Sequence, residues 1–201
     1  MTVFFCWIFL YIVVNAVISF FALSAWVNVG FAVVYTVCLG IWLWREKSCR
    51  DWLVLKKRGW LAAWPLFVFA AANAVFLQGI SLSVAFFCAV VGAIAEELLF
   101  RGVLLSALSR KNLHIAVWGS AVLFGVYHLF SGDLFGAVCA LCFGFALAVY
   151  AYRFRSLLPC IAAHLLTNLF GNSDVPMWLL MFSSMICVIY GCMLYPRKKE
   201  N

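Results

Sequence analysis

The chain has 201 residues, of which 68% are hydrophobic and 10% are charged. Soluble domains usually carry about a quarter charged residues, so this composition excludes an ordinary soluble domain. The net charge of +7 would suit nucleic acid, but the basic residues lie in short clusters between apolar runs, as in the cytoplasmic loops of membrane proteins. We therefore expect an all-α integral membrane protein in contact with the lipid bilayer, and no nucleic-acid partner.

Spanning the hydrocarbon core takes about 20 apolar helical residues. Charges, glycines and prolines divide the chain into eight candidate spans. They are roughly 3–22, 26–44, 59–78, 82–106, 113–131, 134–152, 156–171 and 176–195. No long linker interrupts them, so the sequence predicts a polytopic transmembrane helical bundle forming a single integral membrane domain over residues 1–201. The first apolar run is too long for a signal-peptide core and predicts a retained first span.

The basic clusters predict the orientation of this bundle. Each cluster follows an even-numbered span: residues 45–58, Arg110 with Lys111, Arg153 with Arg155, and Arg197 to Lys199. Because positive residues stay on the cytoplasmic side, both termini should be cytoplasmic, in the inner membrane if the source is bacterial. The loop at 45–58 suits either a short interfacial helix or an irregular basic loop.

The nine cysteines lie almost entirely in apolar runs, where cysteine behaves as a small hydrophobe. Cys139 and Cys142 form an isolated CxxC pair without a second pair or a loop around it. The sequence therefore predicts neither a disulfide framework nor a cysteine metal site.

A few charged or ionisable residues fall inside the predicted spans. Glu96, Glu97 and Arg101 lie in span four, His128 in span five and His164 in span seven. A charge at the centre of a bilayer helix costs about 2.5–3.5 kcal/mol by insertion scales, so such residues usually face inward and serve a function. Glu97 and Arg101 are spaced i,i+4 and can pair on one helix face, which leaves Glu96 without a partner on its own helix.

Two further spans carry polar groups with the same spacing. Phe124 and His128 share one helix face, as do His164 and Asn168. Lipid offers no hydrogen bonds, so the cheapest arrangement turns these stripes and Glu96 towards one another. The result would be a carboxylate, two imidazoles and an amide around a water-sized space.

The residues alone leave three interpretations open. The cluster can serve as interhelical glue in a transporter or scaffold. It can also perform acid–base chemistry, because a carboxylate beside imidazoles is what the activation of water requires. Zinc is a third option, since Glu and two His can ligate it, although the HExxH helix of many zinc proteases is missing.

The same residues form three motifs that resemble those of a known family. Glu96-Glu97-Leu-Leu-Phe-Arg101 is similar to its EExxxR motif, Phe124-Gly-Val-Tyr-His128 to FxxxH, and His164-Leu-Leu-Thr-Asn168 to HxxxN. The family is the CAAX protease and bacteriocin-processing family of intramembrane proteases, which includes the Ras-converting endopeptidases. The motifs occur in order on separate predicted spans within residues 82–171, whereas spans one to three and eight carry none.

The resemblance implies a helical membrane fold with a catalytic cavity sunk into the bilayer. In this family pattern Glu96 would be the general base that activates a water, assisted by His128. His164 and Asn168 would stabilise the oxyanion of the tetrahedral intermediate.

The remaining motif residues would support that chemistry. Glu97 and Arg101 would position the base and shape the cavity, with Phe124 as a further supporting residue. The resemblance favours a metal-independent, glutamate-type mechanism without a cofactor, although the residues leave zinc open. Substrates would be membrane-associated peptides or proteins: prenylated C-termini in eukaryotes, and bacteriocin, pheromone or sorting-tag precursors in bacteria. A non-proteolytic immunity or scaffold protein of the same family is the alternative function.

The span boundaries conflict with this site in one respect. They place Glu96 and His164 in the cytoplasmic halves of their spans but His128 near the outer end of span five. For the three motifs to meet, span five must start deeper, be tilted or broken, or the orientation must be reversed.

Overall fold

A computed structural model describes residues 2–20, 24–46, 52, 57–75, 84–129, 133–170 and 175–196. Over these residues the secondary structure is helical, without a strand, which confirms the all-α prediction for this part of the chain. The α-helices are α1 Thr2–Phe20, α2 Ala25–Arg45, α3 Lys57–Ala62, α4 Val68–Val75, α5 Val84–Glu97, α6 Ser106–Ser109, α7 Leu113–Leu129, α8 Leu134–Phe154, α9 Leu158–Leu169 and α10 Met177–Leu194. A 3-10 turn, Trp64–Phe67, precedes α4, and a π-helical segment, Leu98–Leu105, joins α5 to α6.

The helices make this chain an integral membrane protein. Within the described residues, three of them are long and apolar enough to cross a bilayer: Trp26–Arg45, Leu134–Phe154 and Met177–Leu194. Helical segments also lie within each of the other predicted spans, but these are shorter, interrupted or less apolar. The total of eight crossings and the division into one domain therefore stay predictions.

The third predicted span, 59–78, is not one continuous helix. It consists of α3, the 3-10 turn and α4, and residues 76–83 lie outside the described part of the chain. Pro65 lies at the start of the 3-10 turn, and proline ends a preceding helix because it lacks an N–H and its ring clashes with the previous turn. The sequence contained this signal, and the prediction of an unbroken span missed it.

The predicted interfacial helix or basic loop at residues 45–58 is described only in part. Residues 47–51 and 53–56 lie outside the described residues, and α3 begins at Lys57. Trp52 is buried, and its carbonyl accepts a 2.7 Å hydrogen bond from the backbone N–H of Leu157, just before α9. This residue therefore packs into the helical bundle.

Helix α8 lies at the centre of the bundle and packs against α7 and α10. In its apolar stretch 56% of the residues are buried, compared with 22% in the stretches of α2 and α10. Small residues permit this packing: a Cβ added to Gly125 of α7 would lie 2.8 Å from Cβ of Leu141 in α8. Asp133 begins α8 by accepting a hydrogen bond from the backbone N–H of Gly136, as helix N-caps do.

Candidate active site

The two adjacent glutamates lie where α5 changes into the π-helical segment. Every residue of that segment, Leu98–Leu105, is buried, including the charged Arg101. A π-helix has i→i+5 hydrogen bonds, and such segments are frequent at functional sites. Helices α1 and α7 pack against it, so the glutamates are held among several helices.

Glu97 is the centre of a fully buried ion-pair network. Its Oε1 accepts a 2.8 Å hydrogen bond from a guanidinium N–H of Arg101 and a 2.9 Å hydrogen bond from Nδ1 of His164. The side chains of Glu97 and Arg101 are 0% exposed, and that of His164 is 3% exposed. The predicted i,i+4 pair is therefore present, and a contact from α9 that the spacing did not predict extends it. Charged hydrogen bonds of this kind keep a buried carboxylate paired.

Two further contacts fix Arg101 in place. Its second guanidinium N–H group donates to the carbonyl of Gly144 in α8 at 3.1 Å, and its Cζ lies 4.2 Å from the centre of the Phe124 ring. A Cβ added to Gly144 would lie 3.0 Å from Cδ1 of Phe124 and 3.2 Å from the guanidinium. A larger residue would require the Phe124 ring or the guanidinium to shift by a few tenths of an ångström, so Gly144 contributes to the site although no motif contains it.

His128 is oriented by its own helix. Its Nδ1 lies 2.8 Å from the carbonyl oxygen of Phe124, and because a carbonyl only accepts, Nδ1 carries the proton. The Phe124 ring packs against the imidazoles of His128 and His164, at centroid distances of 4.5 Å and 5.5 Å. Each histidine thus uses Nδ1 for a structural hydrogen bond and turns Nε2 towards Glu96.

Glu96 faces both of these Nε2 atoms. Its Oε2 lies 4.0 Å from Nε2 of His128 and 3.8 Å from Nε2 of His164, and its side chain is 15% exposed. These distances exceed a direct hydrogen bond, and Oε2 is buried without a hydrogen-bond partner among the described residues. Glu96 therefore has the surroundings of a group that contacts a small molecule, whereas Glu97 is held by protein side chains.

The structure brings Glu96 within 4.0 Å of His128 and 3.8 Å of His164, despite the mismatch in the predicted span boundaries. The helical chain runs without a break from Val84 to Ser109, three residues beyond the predicted end of span four. Glu96 lies 13 residues before Ser109, and His128 lies 15 residues after Leu113, where α7 turns back. Counted from the turn between their helices, Glu96 and His128 lie at similar distances along the chain, so the predicted end of span four accounts for part of the mismatch between these two residues.

A cavity of about 200 Å³ adjoins His128 and His164, whereas Glu96 is not among its lining residues. Most of its lining is apolar, with the imidazoles of His128 and His164 and the amides of Asn73 and Asn168 as polar groups. The full lining is Phe69, Asn73, Phe124, His128, Gly136, Cys139, Ala140, Phe143, His164, Thr167, Asn168 and Leu180. Asn168 is exposed at this cavity, one helical turn beyond the buried His164.

Sequence reasoning missed Asn73, which belongs to α4 and lies near the motif residues at the cavity. A signal existed, because an asparagine within the apolar run VFAAANAV is costly at bilayer depth. It also missed Phe143, whose ring packs edge-on against His164 at 6.0 Å. An aromatic residue in an apolar helix gives no such signal.

Across the described residues, no group of three or more His, Cys, Asp or Glu side chains is placed so that it could hold a metal ion. Glu96, His128 and His164 have the donor chemistry for zinc, and Oε2 of Glu96 lies 4.0 Å and 3.8 Å from the two imidazole Nε2 atoms.

Comparison with known proteins finds a family that matches the central part of the chain. Residues 78–170 match the family model described as type II CAAX prenyl endopeptidase Rce1-like. This part of the chain is similar to the members of that family. The match confirms the resemblance read from the three motifs, and it supports a peptidase, since the family is one of endopeptidases. No curated protein and no solved structure matches the chain.

Proposed function

We propose that this protein is an intramembrane endopeptidase that hydrolyses membrane-associated peptides or proteins with a water activated by Glu96. The observation that carries the proposal is the contrast between the two adjacent glutamates. Glu97 is occupied by Arg101 and His164, whereas Oε2 of Glu96 lies within 4.0 Å of two imidazole Nε2 atoms. A carboxylate beside two imidazoles that line a mostly apolar cavity suits general-base catalysis.

In this mechanism Glu96 takes a proton from water while the water oxygen attacks the carbonyl carbon of the scissile peptide bond. His128 holds the water through Nε2. In this scheme His164 carries a proton on each ring nitrogen, so that Nδ1 donates to Glu97 while Nε2, together with the amide of Asn168, donates a hydrogen bond to the oxyanion that forms on the carbonyl oxygen. The tetrahedral intermediate then collapses, the C–N bond breaks, and Glu96 returns the proton to the leaving amine. Water is consumed, and the carboxylate is regenerated.

The buried network gives Glu97 and Arg101 a positioning role in this scheme. Glu97 holds Nδ1 of His164, so the imidazole can present only Nε2 to the cavity. Arg101 holds Glu97 and packs on Phe124, which lies between the two imidazoles. Orientation of donors before the reaction is what makes an oxyanion site effective.

The proposed substrate is a peptide or protein held at the membrane. The family description names prenylated CAAX substrates for its members. The apolar walls of the cavity suit an apolar or lipid-bearing segment beside the scissile bond. To identify the substrate, we would compare the peptides of cells with and without this gene. A precursor that accumulates without the gene supports the protease, whereas matching peptide profiles contradict it.

A non-proteolytic immunity or scaffold protein is the second candidate function. The buried network of Glu97, Arg101 and His164 favours it in one respect, because the network ties α5, the π segment and α9 together without needing a substrate. Glu96 separates the two functions. A scaffold has no use for a carboxylate 3.8 Å and 4.0 Å from two imidazoles, whereas a hydrolase does.

We expect catalysis to be independent of metal. After dialysis against a strong chelator, the purified protein should cleave the accumulated precursor at the rate of the untreated protein, because Glu96 and the imidazoles suffice to activate water. Metal content measured by mass spectrometry provides the control for complete removal. Inactivation by the chelator with recovery on addition of zinc would instead assign Glu96 and the histidines as metal ligands.

We also propose that the protein is multi-pass with both termini in the cytoplasm, as the basic clusters predict. Alkaline phosphatase fused after Asp133, the exposed residue that begins α8, should be active because that connection lies outside. The same enzyme fused after Asn201 should be inactive. High activity at Asn201 together with low activity at Asp133 would reverse the orientation.

A further inference from the structure

Asn73 is a buried polar residue at the cavity that neither the motifs nor the family match includes. It lies on α4, before the matched residues 78–170, and its neighbours in VFAAANAV are apolar. It is 6% exposed and lines the cavity together with His128, His164 and Asn168. Packing alone would favour an apolar side chain here, because a buried amide must be hydrogen-bonded to repay its desolvation.

One hydrogen bond fixes the orientation of this amide. Nδ2 of Asn73 donates to the carbonyl oxygen of Thr167 at 3.3 Å. Thr167 lies in the last turn of α9, between His164 and Asn168, where helix carbonyls lack donors from their own helix. The contact therefore holds the Asn73 carboxamide next to the side chains proposed to bind the oxyanion.

We propose that Asn73 is a substrate-binding residue that hydrogen-bonds the peptide backbone of the substrate in the cavity. A carboxamide has two N–H donors and one carbonyl acceptor, and the contact with Thr167 uses one donor. The second donor and the acceptor match the C=O and N–H groups that an extended peptide presents. Recognition of this kind reads the backbone rather than the side chains, so it tolerates different sequences. The inference rests on the proposed endopeptidase function.

Two substitutions test Asn73, with a synthetic peptide that spans the cleaved bond of the accumulated precursor as substrate. Asn73→Leu keeps the branched shape of the side chain and suits an apolar helix, and Asn73→Ala avoids filling the cavity. Both should raise KM about tenfold, the value of one hydrogen bond to a neutral group, and leave kcat nearly unchanged, because the bond is present in the ground state and the transition state alike. Asn28→Ala, at a half-buried asparagine of α2 that does not line the cavity, is the matched control and should change neither constant.

A binding measurement separates substrate contact from a purely structural role. In protein that also carries Glu96→Gln, Asn73→Leu should weaken binding of the same peptide about tenfold. A structural role would instead lower the amount of folded protein and leave KM and Kd unchanged in what remains. If the Asn73 variants leave KM and Kd unchanged while Glu96→Gln is inactive, the proposed role of Asn73 is wrong but the proposed function still holds. Normal cleavage by Glu96→Gln overturns the proposed function itself.

Discussion

Glu96→Gln should reduce cleavage by about 10²–10⁴-fold, which is the usual contribution of a general base. Glutamine keeps the size and much of the hydrogen-bonding shape of glutamate but cannot take a proton from water. The fold should be unaffected, because Oε2 of Glu96 makes no direct hydrogen bond to a described residue and lies 3.8 Å and 4.0 Å from the two imidazoles. The measurements are the cleavage rate of the purified protein and its melting temperature in detergent.

Glu46→Gln provides a matched control for this variant. Glu46 is a half-exposed glutamate directly after α2, 3.8 Å from Arg110, and it does not line the cavity. Its loss should leave both the cleavage rate and the melting temperature unchanged. A Glu96→Gln protein that cleaves at the normal rate contradicts the assignment of the base. If Glu96→Gln abolishes the cellular phenotype although the wild-type protein cuts no peptide, the scaffold function is favoured instead.

The positions of the motif residues could be predicted because charged side chains within a membrane face the protein interior and pair with one another. Glu97 and Arg101 are one helical turn apart, and lipid offers neither an alternative partner, so their pairing followed from spacing. The approach of the two histidines to Glu96 followed from the same need. The catalytic roles of these residues stay predictions, because contacts and distances do not measure proton transfer.

Three features of the site could not be predicted from the sequence, and one interruption of a helix could have been. The π-helical segment depends on packing from α1 and α7, and no local residue preference marks it. The hydrogen bond from His164 to Glu97 joins residues 67 positions apart, which no periodicity predicts. The close approach at Gly144 is visible only when the Arg101 guanidinium is seen beside it. Pro65, by contrast, marked the interruption of the third span in the sequence itself.

Arg101→Ala should reduce stability as well as activity. The substitution leaves the Glu97 carboxylate buried with only His164 as a partner, and it removes the hydrogen bond to the carbonyl of Gly144. Breaking a buried ion pair by deleting one partner costs about 3–5 kcal/mol in soluble proteins. We expect a lower yield of folded protein and a clearly lower melting temperature in detergent. Arg110→Ala, at an exposed arginine, should cost at most about 1 kcal/mol.

A double variant distinguishes the charge from the packing of Arg101. Arg101→Met keeps an unbranched chain beside Phe124 but strands Glu97, so it should be destabilised much as Arg101→Ala is. Adding Glu97→Gln removes the stranded charge, and the double variant should recover much of the lost melting temperature, because neutralising both partners avoids an unpaired buried ion. Its activity should stay low, since a neutral amide holds Nδ1 of His164 less firmly than a carboxylate does. If Arg101→Met alone melts like the wild type, the pair does not stabilise the fold. If the double variant recovers activity along with stability, the network has no part in positioning His164.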